Sequence, residues 1–422
     1  MKQVKSLIFI LLFCVFPARV FIHWIPILGY PMVATAIVLL EYISIALLVM
    51  QSVGDKNVPK KSMHFKLMHL LFWIYNAYIF YYVFINPKMP LEIMYQVPVE
   101  KFSMIQSMVT TSLLITVVTS YQHYLNVKWF TKVAAAFMIL VLLVYTLTAD
   151  MSMYLYKRTL SGLEYDKFDL SEYGLIDTLI MSEFVQIAFI FNFFARHTWS
   201  RKENVNRLLF WMTSGLLLFL LLIYGQRGPI VWLVTTLLFY YYAKGRLRKT
   251  VVVSVVLVMA VAALFGDTLL GLFSKYDITL LERFIQIGED GGSGRVGDVN
   301  SVYNSASRQI INGLLFGSYF RLTVGGYVGN YPHNFVLEYL MTFGLVFSIP
   351  LFWLICKGVK KCYYAVKVDA PLSVFCIIFL NTYLCHLTSF TVVNDSKMWV
   401  LLAMTLCIGK GSVGKTNRRI KR

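Results

Sequence analysis

Charge is scarce in this chain. Only 14% of its 422 residues are Asp, Glu, Lys or Arg, where a soluble protein of that length carries roughly a quarter. That shortage argues against an ordinary water-soluble globule. Cysteine is sparse and poorly placed for chemistry: Cys14, Cys356, Cys362, Cys376, Cys385 and Cys407 fall in apolar segments or basic turns, without paired metal spacing. Neither disulfides nor a zinc site is expected. Alternating ten-residue apolar segments are missing, which excludes an outer-membrane barrel. Internal repeats and low-complexity linkers are missing too, so residues 1–422 are read as one integral membrane domain.

Apolar runs of about 20 residues, long enough to cross a bilayer, are what the chain does have. They mark a polytopic α-helical membrane protein of about twelve spans, near 5–23, 33–52, 67–86, 102–121, 133–149, 174–195, 208–225, 229–243, 250–271, 333–355, 371–390 and 397–409. Lys2 and Lys5 before the first run resemble a signal sequence. No small-residue cleavage site precedes Pro17-Ala18-Arg19, so the run is kept as a span. The net charge of +18 invites a nucleic-acid partner, but its distribution argues against one. Lys and Arg cluster in alternate loops, with a bias of about two to one, as in Lys56, Lys60, Lys61 and Lys66 and again in Lys357, Lys360, Lys361 and Lys367. The positive-inside rule then places both termini in the cytoplasm, and the basic clusters become topology signals and anionic-lipid contacts.

Two loops on the other side are substantial. One covers about 150–173 and holds Glu164, Asp166, Asp169 and Glu172. Such acids could hold a divalent cation but read more simply as solvated, and no metal is assigned. The other, 272–332, is too long to be structureless. Within it, Val302, Ala306, Ile310 and Leu314 share one face of a helical pattern. This spacing predicts a helix lying on the membrane surface, with Arg308 on its opposite side.

Two phosphate-binding spellings fail on context. Gly409 to Thr416 matches the P-loop pattern, but an apolar span precedes it and six residues follow, so no helix can receive the phosphates. Gly292-Ser-Gly294-Arg-Val-Gly297 lacks the βαβ unit that would give it meaning. No nucleotide cofactor is expected.

The candidate chemistry gathers on the loop-rich side. Arg227 lies in Gly225-Gln226-Arg227-Gly228-Pro229, a tight turn between the seventh and eighth spans, where Pro229 opens the next helix. It is either a snorkelling surface cation or a fixed cation for a phosphate. Arg283, Arg295, Arg308 and Arg321 follow in the long loop. As a set they could form a basic cup, since the planar guanidinium donates two parallel hydrogen bonds to phosphate and stays charged. His333 follows Pro332 just before the tenth span. It is either structural or a general base, since neutral imidazole accepts a proton near pH 7. Glu41, Glu183 and Glu338 are acids within spans, a costly placement unless paired or facing a polar cavity. Glu338 could neutralise an arginine or orient a substrate hydroxyl.

With these residues in view, the chain resembles the O-antigen polymerase and O-antigen ligase superfamily of bacterial envelopes. Tyr331-Pro-His333-Asn334-Phe-Val-Leu-Glu338, running on to Gly344, looks like the family's His-Asn-x-x-Leu-Glu stretch leading to a glycine in the helix after its large periplasmic loop. Gly225 to Pro229 looks like its arginine turn. Gly294-Arg295 followed by Ala306, Ile310 and Leu315-Phe316-Gly317 looks like its arginine-led helix ending in a Leu-Phe-Gly turn. The expected tryptophan and the proline before that turn are absent, and the spacing from Arg295 is long, so Arg283 and Arg308 stand beside Arg295 as candidates.

The resemblance implies an all-α, GT-C-like membrane protein of the bacterial inner membrane, with the large periplasmic loop before helix ten. It implies a metal-independent inverting glycosyltransferase acting on glycans linked to undecaprenyl diphosphate. His333 would be the catalytic base. Arg227 and Arg295, with Arg283 and Arg308 as further candidates, would bind the diphosphate, and Asn334 and Glu338 would support the site. Other expected partners are membrane lipids and a chain-length regulator protein. Within the family a polymerase is favoured over the ligase that moves finished glycan to lipid A core. A lipid-linked glycan flippase is the rival from another class, weakened by the absence of repeats.

Overall fold

The computed structural model describes residues 62–81, 101–122, 125–159, 170, 175–199, 202–224, 227–247, 304, 306–317, 322–324, 327–330, 334–387 and 395–408, with positions 9, 39–40, 42–47 and 49–50. Ten helices are delimited among them: α1 (Met63–Phe80), α2 (Lys101–Tyr121), α3 (Val127–Thr148), α4 (Met151–Thr159), α5 (Thr178–Ala195), α6 (Glu203–Tyr224), α7 (Arg227–Ala243), α8 (Phe335–Lys367), α9 (Ser373–Cys385) and α10 (Ser396–Leu406). Four of these, α3, α5, α6 and α8, are long and apolar enough to cross a membrane, and shorter apolar helices accompany them. The architecture is that of a helical, membrane-embedded protein. In hydrocarbon every backbone N–H and C=O needs an internal partner, which a helix supplies within one segment.

Nine of the expected spans coincide with these helices. The spans at 5–23 and 250–271 lie outside the described residues, apart from Phe9, and the span at 33–52 is described only in part. The helix α4 falls in a stretch expected to be loop, and the acids Glu164, Asp166, Asp169 and Glu172 lie outside the described residues. A short antiparallel hairpin, β1 (Leu322–Val324) with β2 (Tyr327–Asn330), is the exception to helix.

Polar side chains set several helix starts. Ser62 accepts from the Phe65 N–H, Asn126 from Trp129, Asp177 from Leu179, Asn334 from Val336 and Leu337, and Asp395 from Lys397. Each satisfies amide donors that have no partner within the helix.

The described residues form two compact units. The first comprises Met1–Glu41 and Leu125–Arg295, the second Tyr42–Tyr124 and Val296–Arg422. In the first, α5 packs against α3, α6 and α7. Burial covers 78% of the α5 span but only 28% of the α6 span, so α5 is the inner helix and α6 turns a wide face outward. The buried amide of Asn192 on α5 donates to Ser214 at 3.0 Å and accepts from Trp199 at 3.0 Å and Thr213 at 3.1 Å. The Tyr145 and Tyr154 hydroxyls meet at 2.6 Å and bracket Ile176, whose N–H donates to Tyr145 and whose carbonyl accepts from Tyr154.

In the second unit, α8, α9, α10 and α1 pack together and α2 lies against α10. Tyr75, Tyr339, Phe343 and Trp399 interlock, with Tyr75 4.9 Å from Phe343 and 5.6 Å from Trp399 between ring centroids. Such aromatic pairs add stabilisation beyond their buried area. Lys361 on α8 donates to the carbonyls of Leu406 and Ile408 and so closes the end of α10.

The helix α8 departs from expectation twice. It continues past Ile355 to Lys367, because loss of apolar character ends a membrane span without ending a helix, and lysine is a good helix former. It is also broken at Gly344, where φ is 61° and ψ is −169°. Lys357 begins the lysines at the far end of α8, and at 1.5 Å per residue Gly344 lies about 20 Å from it, within the depth of a bilayer. The break frees backbone groups, and a turn at 313–317 takes them up. The Leu345 N–H donates to the Leu314 carbonyl at 2.9 Å, and Val346 to Leu315 at 3.0 Å. The Tyr339 carbonyl accepts from the Ser348 hydroxyl at 2.8 Å.

Glycine is required on both sides of this seat. Gly317 has φ 75°, and a Cβ there would lie 2.2 Å from the Thr342 carbonyl oxygen. A Cβ on Gly344 would lie 2.5 Å from the Gly317 nitrogen and the Leu315 carbonyl. The two glycines therefore pack backbone on backbone.

Part of the predicted helix is present, over 306–312, and Val302 lies outside the described residues. Ala306 is buried against Met341 with Ile310 beside it, and Arg308 is exposed on another face. Leu314 does not continue the buried face, since it is 48% exposed. The helix gives way to the turn at Gly313, and Leu314 contributes its carbonyl instead of its side chain.

Candidate functional site

The start of α8 is held from three directions. Asn334 has extended backbone geometry, as a cap residue should. Its Oδ1 accepts from the N–H of Val336 at 3.0 Å and of Leu337 at 3.2 Å. Its Nδ2 donates to the Leu387 carbonyl at 3.2 Å. Phe335 donates its N–H to the His386 carbonyl at 2.8 Å. The end of α9 is thereby stitched to the beginning of α8.

His386, at the end of α9, is fully buried. Its Nδ1 lies 2.8 Å from the Thr382 carbonyl and its Nε2 2.8 Å from Asp395 Oδ2. The second contact is an ion-pair approach rather than an aligned hydrogen bond. An acceptor oxygen thus lies beside each ring nitrogen. Asp395 uses its other oxygen to cap α10, accepting from the Lys397 N–H at 2.8 Å. Burial pushes the Asp395 carboxyl upward, but Lys397, His386 and the Lys397 backbone N–H outweigh it, and the group is held well below the usual carboxylate range.

Asp395 also lines a small, half-open cleft, together with Phe72, Tyr75, Asn76, Met108, Thr111, Ser396 and Trp399. Aromatic walls interrupted by an amide, two hydroxyls and a carboxylate form an amphipathic lining.

The sequence-predicted residues fare unevenly. Asn334 is a cap and a tether. Glu338 is buried in the first turn of α8, where a carboxylate is favoured by the helix dipole. Arg308 is exposed, and among the described residues it makes no ion pair. Arg227 is the first residue of α7 rather than part of a turn, with Pro229 tolerated in the first helical turn. The side chain of Arg227 lies outside the described residues, as do His333, Arg283, Arg295 and Arg321.

Sequence reasoning missed His386 and Asp395. The signal was present: a histidine inside an apolar span is as costly as the span carboxylates unless it is paired, and Asp395 follows nine positions later. No protein-family model, curated protein or solved structure matches this chain.

Proposed function

We propose that this protein is a surface-polysaccharide polymerase of the O-antigen type. It would be a twelve-span protein of the bacterial inner membrane with both termini in the cytoplasm, joining undecaprenyl-diphosphate-linked repeat units at the periplasmic face. One observation carries most of the support. The Leu315-Phe316-Gly317 turn and the helix glycine Gly344 were singled out separately by resemblance to the family, and they pack against each other with no room for a side chain on either. The second support is Asn334, the partner of His333 in the family's His-Asn pair, which caps α8 and tethers it to α9.

In this reading His333 removes the proton from an acceptor hydroxyl as that oxygen attacks the anomeric carbon of the donor glycan. The new C–O bond forms on the face opposite the breaking one. Undecaprenyl diphosphate leaves with the bonding pair, and the proton stays on His333. Arg227 and Arg295, with Arg283 and Arg308 as further candidates, hold the diphosphate and stabilise the charge it gains. The roles of Arg227, Arg283 and Arg295 rest on the sequence resemblance. The position of Arg227 at the first residue of α7 adds the helix N-terminus as a second favourable neighbour for an anion.

The test is His333→Ala in the native host, with analysis of lipopolysaccharide and lipid-linked glycans. Lipid A core bearing a single repeat unit is the expected result. Long glycan stranded on the carrier would assign a ligase instead, and repeat units trapped on the cytoplasmic leaflet a flippase. Normal glycans would show that His333 is dispensable and overturn the mechanism.

A further inference from the structure

Three helix ends converge on one buried pair. Asp395 caps α10 through the Lys397 N–H, and its second oxygen lies 2.8 Å from His386. His386 is locked to its own helix by the Thr382 carbonyl, which lies 2.8 Å from its ring and also accepts its backbone N–H at 3.1 Å. The carbonyls of His386 and Leu387 then receive the Phe335 N–H and the Asn334 amide. An unbroken chain of polar contacts runs from the start of α10, through the end of α9, to the start of α8.

We infer that His386 and Asp395 are a positioning pair that fixes the start of α8 at Asn334 and Phe335. A role in the reaction rests on the polymerase reading above; the mechanical role does not. The physical reason is that the last carbonyls of a helix have no partner within it and fray. The acceptors that hold α8 are the carbonyls of His386, which caps α9, and of Leu387 just past it, so this backbone must itself be held. A buried ion pair contributes little net stability, because desolvation offsets most of its attraction. Direction is what it supplies: a ring held at both nitrogens leaves the 386–387 backbone little freedom. A general base displaced by about 1 Å can lose about 100-fold in rate, so the pair acts on turnover.

Asp395→Asn tests this with the least disturbance, since the amide keeps the shape and the Oδ1 cap while removing the charge. The full chain, purified in detergent, is compared with Asp395→Asn, His386→Gln and the double variant. Amide hydrogen exchange is read for residues 334–338, with 127–148 of the other unit as reference. Polymerisation is read as kcat and KM for the lipid-linked donor.

Exchange at 334–338 should quicken in all three variants while 127–148 stays unchanged. The kcat should fall about 10- to 100-fold with KM within about threefold. The double variant should lose no more than the worse single one, because both removals break the same link. Asp395→Glu should recover part of the kcat. Unaltered exchange at 334–338 in folded Asp395→Asn protein would overturn the pair's role. An apparent kcat that falls only in step with the amount of folded protein would overturn its role in turnover. If His333→Ala leaves glycans normal, the polymerase reading falls, and the exchange result still decides whether the pair holds α8.

Discussion

Replacing Gly344 by alanine puts the seat of the 313–317 turn to a quantitative test. A side chain at φ 61°, ψ −169° occupies a region used almost only by glycine, at about 1–3 kcal/mol. The added Cβ would lie 2.5 Å from the Gly317 nitrogen and from the carbonyl carbon and oxygen of Leu315. All three are backbone atoms, so no rotamer change relieves the clash and the turn must lift. Lifting it breaks the bonds from Leu345 to Leu314 and from Val346 to Leu315, each with a net value of about 1 kcal/mol. The loss is about 3–5 kcal/mol in all. At about 2–4 °C per kcal/mol for a unit of this size, the thermal midpoint of the purified protein should fall by about 6 °C or more. Gly215→Ala is the internal control. It lies within α6 and its Cβ would meet nothing within 4 Å, so a gain of about 0.5–1 kcal/mol is expected from helix propensity. A Gly344→Ala midpoint within about 2 °C of the parent would refute the claim that helix and turn meet backbone to backbone.

Two further outcomes follow from the start of α8 and its tether. Asn334→Ala removes the cap on Val336 and Leu337 and the bond to Leu387; a loss of about 1–2 kcal/mol should appear in thermal unfolding, with faster exchange confined to the first turn of α8. The depressed Asp395 carboxyl stabilises the fold at pH values above its unfolded value of about 3.9 and loses that contribution as pH falls through its folded value. The midpoint difference between parent and Asp395→Asn should therefore narrow as pH falls below about 4. A difference that stayed constant to about pH 3 would show that the carboxylate is not held in this way.

Much of the architecture was legible because a bilayer imposes a one-dimensional rule. A run of apolar residues long enough to cross must be a helix, and nine runs coincide with helices. The buried face of the 306–312 helix was legible for the same periodic reason, through Ala306 and Ile310. Its end was not, because Leu314 satisfies the pattern while its carbonyl serves a helix thirty positions away. The extension of α8 to Lys367 was hidden as well, since hydropathy registers the solvent and not the hydrogen-bond ladder. Asn334 could be read as a cap from its place before an apolar run, but its second bond, to Leu387, could not. His386 looked like one polar residue in an apolar span.

The order of apolar and basic segments thus determined by itself that this is a helical membrane protein, and where most of its helices lie. Local composition decides those properties, because transfer into hydrocarbon is additive along the chain. Tertiary structure alone decided that Gly317 meets Gly344, that Asp395 meets His386, and that the end of α9 holds the start of α8. Those are pairings between segments distant in sequence. Each residue's own chemistry permits many partners, and close packing with satisfied polar groups selects one.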